Sequence, residues 1–248
     1  MCGRYASFRS DEDLRDKFGI EEIVDPTPPP SWNVAPTDPV RIVVVRAPHG
    51  SSGTDSGPRT QLRTVSWGLV PSWTKPSAGK PASNVGGKLI NGRAETITEK
   101  PAFRRAATHR RAVIPMDGYF EWQKHEDGRT KTPYYLTGAN EEPLAAAGLY
   151  ELWRDPTKAE DDPHRWLWTC AVITTTATDS TGHIHDRSPL LLPENFIDTW
   201  LDPSLTDPEQ VRDLVASVPE PHLVPRVVST AVGNVRNNGP QLVEPVVT

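Results

Sequence analysis

Cysteine and methionine are scarce, two of each in 248 residues, and only 7% of the residues are aromatic. Two cysteines build no disulfide framework, and Cys2, at the very start, is a poor structural partner for Cys170. No apolar run approaches the roughly 18–20 residues of a membrane-spanning helix, so no membrane partner is expected. The opening MCGRYASFRSDED has no apolar stretch of a secretory signal, and a cytoplasmic location is expected. Positive charge is in deficit too: 27 Lys and Arg against 32 Asp and Glu give a net charge of −5. Proteins that hold nucleic acid by bulk charge are usually basic, so any such role here needs a local patch.

Proline is plentiful. The 26 prolines outnumber the 17 glycines, which argues against long helices and for strands, turns and edges. Ser10 caps a short helix to about Phe18, with Asp11, Glu12 and Asp13 at its positive end. Six prolines between Asp25 and Pro39 keep that stretch extended. Strands are expected at Val40–Arg46, Leu62–Leu69, Ala112–Gln123, Pro133–Thr137, Leu144–Trp153, Trp166–Ala177 and Leu223–Ser229. Short helices are expected at Glu99–Thr108, Pro193–Trp200 and Pro208–Val218. Polar loops at about 47–60 and 154–165 read as insertions in one β-rich α+β domain over residues 1–248. Its antiparallel sheets would form a barrel, closed or half-closed, with peripheral short helices.

Cys2 carries the most chemical information. Aminopeptidases remove an initiator Met before a small residue, which would leave a cysteine bearing a free α-amine and a thiol on adjacent carbons. In model compounds the two titrate at roughly 7.7–8.0 and 8.5, so both are partly nucleophilic at neutral pH. Such a group condenses with an aldehyde to an imine and then closes a thiazolidine; it can equally attack an amide. The plain alternative is an ordinary terminal cysteine. Glu121, between aromatics in Gly118-Tyr119-Phe120-Glu121-Trp122, is either desolvated for acid–base work or turned to water. His185 either shuttles protons, its tautomer fixed by Asp186 or a backbone group, or is an idle loop histidine. His183 beside it raises a metal reading, but without a second ligand cluster no metal is assigned. Asn91-Gly92-Arg93 offers an amide and a guanidinium, or simply a turn. Arg4, Arg93, Arg187 and Arg236, with Trp32, Trp67 and Trp73, suit phosphates and unstacked bases, although tryptophans more often fill cores.

The order of these segments is distinctive. Met1-Cys2-Gly3-Arg4-Tyr5, Trp32-Asn33-Val34-Ala35-Pro36, Trp67-Gly68-Leu69-Val70-Pro71-Ser72-Trp73, Asn91-Gly92-Arg93-Ala94-Glu95-Thr96, Gly118-Tyr119-Phe120-Glu121-Trp122, Ile184-His185-Asp186-Arg187 and Ala231-Val232-Gly233-Asn234-Val235-Arg236-Asn237 follow one another from Cys2 to about Pro245. Together they resemble the SOS response-associated peptidase (SRAP) family of abasic-site processing proteins. Two positions depart from it: that family usually has Ala where Gly92 stands, and a bulkier residue, often Met, where Ser188 stands.

The resemblance implies a barrel-like α+β core with a positive groove for single-stranded DNA, and self-removal of Met1 to expose Cys2. It also implies covalent capture of abasic sites, with Cys2, Asn91, Glu121 and His185 as the catalytic set. Arg4, Asn33, Trp73, Arg93 and Arg187 would contact DNA, and no metal or organic cofactor is called for. The partner implied is single-stranded DNA with abasic sites, held by a monomer, with replication-fork proteins as further partners and the nucleoid as its place when bound. A cysteine amidohydrolase and a non-covalent single-strand binder are the competing readings.

Overall fold

Among the described residues, thirteen strands form two sheets. In the computed structural model, residues 2–47, 57–76, 88–177 and 181–246 are described. The smaller sheet has the order β13-β9-β8-β1-β3, formed by Leu223–Val227, Lys131–Gly138, Gly118–Lys124, Tyr5–Ser7 and Ser31–Val34. The larger one contains β2 (Glu22–Ile23), β4 (Pro39–Arg46), β5 (Arg59–Trp67), β6 (Asn91–Arg93), β7 (Arg111–Met116), β10 (Leu144–Arg154), β11 (Trp166–Thr176) and β12 (Arg187–Pro189).

Five strands of the larger sheet close a ring. β11 pairs β10, β10 pairs β7, β7 pairs β4 and β4 pairs β5. β5 then returns to β11 through Thr169↔Ser66 and Cys170↔Trp67. That closing pair is parallel, as are β6 on β11 and β2 on β5, so the expectation of antiparallel sheets needs correcting. Closure leaves the barrel strands no free edge.

Side chains alternate along a strand, and the alternation separates the cores. Val43, Val113, Ala147, Leu149, Ala171 and Ile173 face the helices, meeting Leu14 and Phe18 of α1 (Asp11–Phe18) and Ala106 and Ala107 of α2 (Arg104–His109). Trp200 of α3 (Glu194–Leu201) and Val211 of α4 (Pro208–Ser217) complete that layer. The intervening residues Ile42, Val44, Ile114, Met116, Cys170 and Val172 share a second core with Cys2, Tyr5, Tyr119 and Leu136. The far side of the smaller sheet, with Ala6, Phe120 and Tyr135, is covered by Val228, Val232 and Leu242.

Local signals act as written at α1, where Ser10 and Asp13 form a capping box and Gly19 ends the helix at φ 59°. Two expectations fail. The stretch Ala112–Gln123 is not one strand: it breaks at Asp117, and β7 and β8 belong to different sheets. The Asp117 carboxylate accepts from the backbone amides of Phe8 (2.6 Å) and Arg9 (3.1 Å) and from Arg9 Nε (2.9 Å), which pins the crossing point. The helix expected at Glu99–Thr108 begins only at Arg104. Pro101 has no N–H to give the carbonyl of Ile97, so 97–103 runs as turns and a bend. The tip of the 47–60 loop lies outside the described residues.

Candidate active site

Cys2 is fully buried and its thiol is free. Strand β1 places it: the Arg4 carbonyl accepts from Phe120 N at 2.9 Å, and Tyr5 stands opposite Tyr119 in the register. Burial first, then the negative charge of Glu121, pushes the Cys2 thiol well above its ordinary range. A thiol partly ionised at neutral pH was the expectation; in place it keeps its proton.

Asn91 reaches Cys2 from the other sheet. Residues 91–93 form no turn, since Ile90 O accepts from Val172 N (3.0 Å) and the segment continues as β6 beside β11. Asn91 Nδ2 donates to the Cys2 carbonyl at 2.8 Å, while its Oδ1 is buried with no hydrogen-bond partner among the described residues. The Tyr5 and Tyr119 hydroxyls share that condition, and both phenols feel the Cys2 thiol electrostatically. The sequence reading passed over these two tyrosines. Their signal was positional: Tyr119 stands two residues before Glu121, hence on the same strand face.

Glu121 is 4% exposed, and desolvation raises its pKa, with His185 opposing. Both the direction and its cause, desolvation, match the expectation, but the flanking aromatics are not its source. Phe120 and Trp122 point to the far side of the sheet, into the third core, so the water around Glu121 is displaced on the Cys2 side. His185 Nδ1 accepts from the Arg187 amide at 3.0 Å and lies 2.8 Å from Asp186 Oδ1. These two contacts demand opposite proton states at Nδ1. The amide is fixed by β12, whereas Asp186 is 86% exposed and free to turn to water, so neutral His185 carries its proton on Nε2.

The expected DNA-contact residues divide into two groups. Trp73 is 66% exposed on a segment tethered by Trp153 Nε1 donating to Thr74 O (2.8 Å), and Arg93 is exposed at the end of β6. Arg4 lies between protein and solvent, donating to Asn33 Oδ1 (2.8 Å) and Val232 O (2.9 Å), with its guanidinium 5.9 Å from the Trp122 ring centre. Asn33 is buried, its amide donating to the carbonyls of Val232, Asn234 and Asn237, so it serves the frame that holds Arg4. Arg187 is likewise engaged: it grips Glu95 with two nitrogens at 2.6 and 3.0 Å and holds the Glu95 carboxyl below its usual range. Of the other tryptophans, Trp67 is buried edge-on to Tyr5 and Trp32 stacks on Phe8, so neither is a platform.

The chain is similar to known proteins along almost its whole length. An abasic site processing protein of Bacillus subtilis (strain 168), YoqW, is 34% identical over 98% of this chain and 99% of its own. YedK of Escherichia coli (strain K12), of the same description, is 31% identical over 99% of this chain and all of its own. A crystal structure of a Bacteroides thetaiotaomicron protein superposes with a TM-score of 0.75 over 99% of this chain and 100% of that one, at 24% identity, and so shows the shared fold. The family model for SOS response associated peptidase (SRAP) matches residues 1–235, and the chain belongs to that family.

Proposed function

We propose that the protein processes abasic sites in single-stranded DNA and captures them covalently through Cys2. One observation carries the reading: a buried cysteine at the start of the chain has its carbonyl held by Asn91, beside a glutamate whose pKa burial raises and a histidine whose Nδ1 accepts from the Arg187 amide. The names of the relatives point to the same lesion.

Removal of Met1 turns the Cys2 amide into a primary amine. The buried Asn91 Oδ1 is then the acceptor for it, so that Asn91 holds the residue at both ends. Because burial keeps the thiol protonated, the amine attacks first, at C1′ of the open-chain aldehyde. Glu121 gives a proton to the carbinolamine hydroxyl, water leaves and an imine remains. The thiol then adds across C=N: the S–C bond forms, its proton goes to nitrogen by way of Glu121, and the thiazolidine closes. Closure removes the imine that would otherwise promote β-elimination and strand breakage. In its imidazolium form, His185 steadies the ionised form of Glu121 between these transfers. The Tyr5 and Tyr119 hydroxyls, buried and without a hydrogen-bond partner among the described residues, are where the sugar's oxygens find partners. Trp73 and Arg93 take a base and a phosphate, while Arg187 and Asn33 hold the surrounding frame.

Intact mass and denaturing gels test this. The native protein should lack Met1 and gain the mass of an abasic oligonucleotide less one water. Cys2→Ala should also lose Met1 and form an imine trappable by borohydride, but no durable adduct. A Cys2→Ala adduct as durable as the native one overturns the thiazolidine step.

A further inference from the structure

The core that holds Cys2 does not end at the barrel wall. Two residues further along four strands, the same face carries two arginines, a leucine and a tryptophan: Val44 is followed by Arg46, Val65 preceded by Arg63, Tyr150 followed by Leu152 and Cys170 preceded by Trp168. These open into a solvent-facing cavity of about 1100 Å³ at the barrel mouth. Trp168 stacks on Tyr150 at 5.5 Å, with the Arg63 guanidinium 4.3 Å and the Arg46 guanidinium 4.8 Å from its ring centre. Arg63 is neutralised by Asp25, which accepts from its Nε at 2.7 Å. Arg46 makes no ion pair among the described residues; its guanidinium is held by the two rings alone, 6.0 Å from the Tyr150 centre. Two further arginines, Arg110 and Arg111, bear electrostatically on the same phenol.

A guanidinium held flat on aromatic rings keeps its outward N–H groups unengaged and loses little freedom when it takes a bidentate oxyanion. Beside it Trp166, 51% exposed, offers a face to a base. The cavity also adjoins the Trp73 segment, because Trp153, which lines it, is the residue bonded to Thr74. Its acids are Asp25, given to Arg63, and Asp155, turned into its own loop by Thr157. Lys158 is anchored on the His164 carbonyl.

We propose that the barrel mouth is a second nucleic-acid subsite: Arg46 takes a backbone phosphate, and Trp166 a base, of the strand that has passed Trp73. It rests on the abasic-DNA reading and extends it from one nucleotide to a length of strand. A groove of this kind makes affinity depend on how far the strand reaches on one side of the lesion, and leaves the chemistry at Cys2 untouched.

The experiment uses abasic oligonucleotides lengthened stepwise on one side or the other, with intact oligonucleotides of the same lengths. The native protein should gain affinity beyond a threshold length on one side only. Arg46→Ala should lose roughly ten-fold on the long strands and lower the salt slope by about 0.7, the value for one phosphate contact on a single strand. Trp166→Ala, at an exposed position that folding does not need, should lose roughly five-fold or more. Both should equal the native protein in adduct formation on the shortest abasic strand. If both variants keep the native length dependence and salt slope, the barrel mouth is not a subsite. If no protein forms adducts, the Cys2 reading fails, and binding of the intact oligonucleotides still decides for or against the groove.

Discussion

Glu121 and Glu151 sit on strands at nearly equal burial, 4% and 3% exposed, and the protein treats them in opposite ways. Glu151 is paired with Arg110, and its Oε1 also accepts from the Leu152 amide at 2.9 Å. Glu121 lies beside Cys2 and is driven toward its neutral form. A carboxylate paired with a guanidinium and a backbone amide is framework: its oxygens are committed to the partners that hold it. A carboxyl raised by desolvation holds its proton more tightly than a free one, which suits it to proton transfer. Burial alone therefore does not mark the catalytic acid; what faces it does.

The largest effect that tests this contrast is on rate. Glu121→Gln keeps the shape and removes the titrating group, so adduct formation and reversal should fall by about a hundred-fold or more. The denaturant midpoint should hold or rise, because a desolvated acid has been removed. Native rates in gel time courses would make Glu121 a second framework residue.

Next comes stability. Arg110→Ala leaves Glu151 charged and buried, a loss of about 3 kcal/mol when one partner of such a pair goes. In a chain of this length that lowers Tm by about 2–4 °C per kcal/mol. Adduct formation per folded molecule should not change, and scanning calorimetry with a gel assay below the transition reads both. A variant that melts like the native protein but crosslinks poorly would reverse the roles of the two glutamates.

Much of this contrast was legible beforehand. Cys2, Asn91, Glu121 and His185 stand in motifs whose order pointed to one family, and the family model agrees. The main strands were visible as β-branched runs, β10 and β11 almost to the residue. What escaped was long-range: sequence shows the donors of Asn33 and Arg187 but not that Val232 and Glu95 engage them. The break at Asp117 escaped likewise, since two strands of one apolar run part only when Arg9 arrives from the N-terminal segment. Short strands such as β1, β3 and β6 exist by pairing, which local pattern does not encode.

A smaller effect lies in the pH dependence. Glu121 has a folded pKa above its unfolded value, so its contribution is full below the unfolded pKa and lost as pH rises through the folded one. Glu95, lowered by Arg187, behaves in the reverse sense: its contribution is present above the unfolded pKa and lost as pH falls. Glu95 is half exposed, so its share is modest. Denaturant midpoints against pH should lose part of their decline with rising pH above the unfolded carboxyl pKa in Glu121→Gln, and part of their acid decline in Glu95→Gln. Parallel curves for both variants would remove the electrostatic difference between the two acids.

The smallest effect concerns Gly92, which separates Asn91 from Arg93. No positive φ requires glycine there, so the residue is a matter of space and of unfolded-state freedom. A Cβ at this position would lie 3.3 Å from Ile97 Cγ2 and 3.6 Å from the Phe103 ring. The first contact is tight by a few tenths of an ångström, and the methyl it meets belongs to a side chain in the helix-facing core. If Ile97 yields, Gly92→Ala should stabilise the fold by about 0.4–1 kcal/mol through the unfolded chain. The β6 segment should then hold Asn91 more firmly on the Cys2 carbonyl, so adduct formation should speed up slightly or stay level. If Ile97 does not yield, the strain passes along β6 to Asn91, and stability and adduct rate should fall together. Unfolding midpoints and single-turnover gels on one preparation distinguish the two. A rise in stability with a fall in rate would separate Gly92 from Asn91 and show that the strand does not transmit its packing to the site.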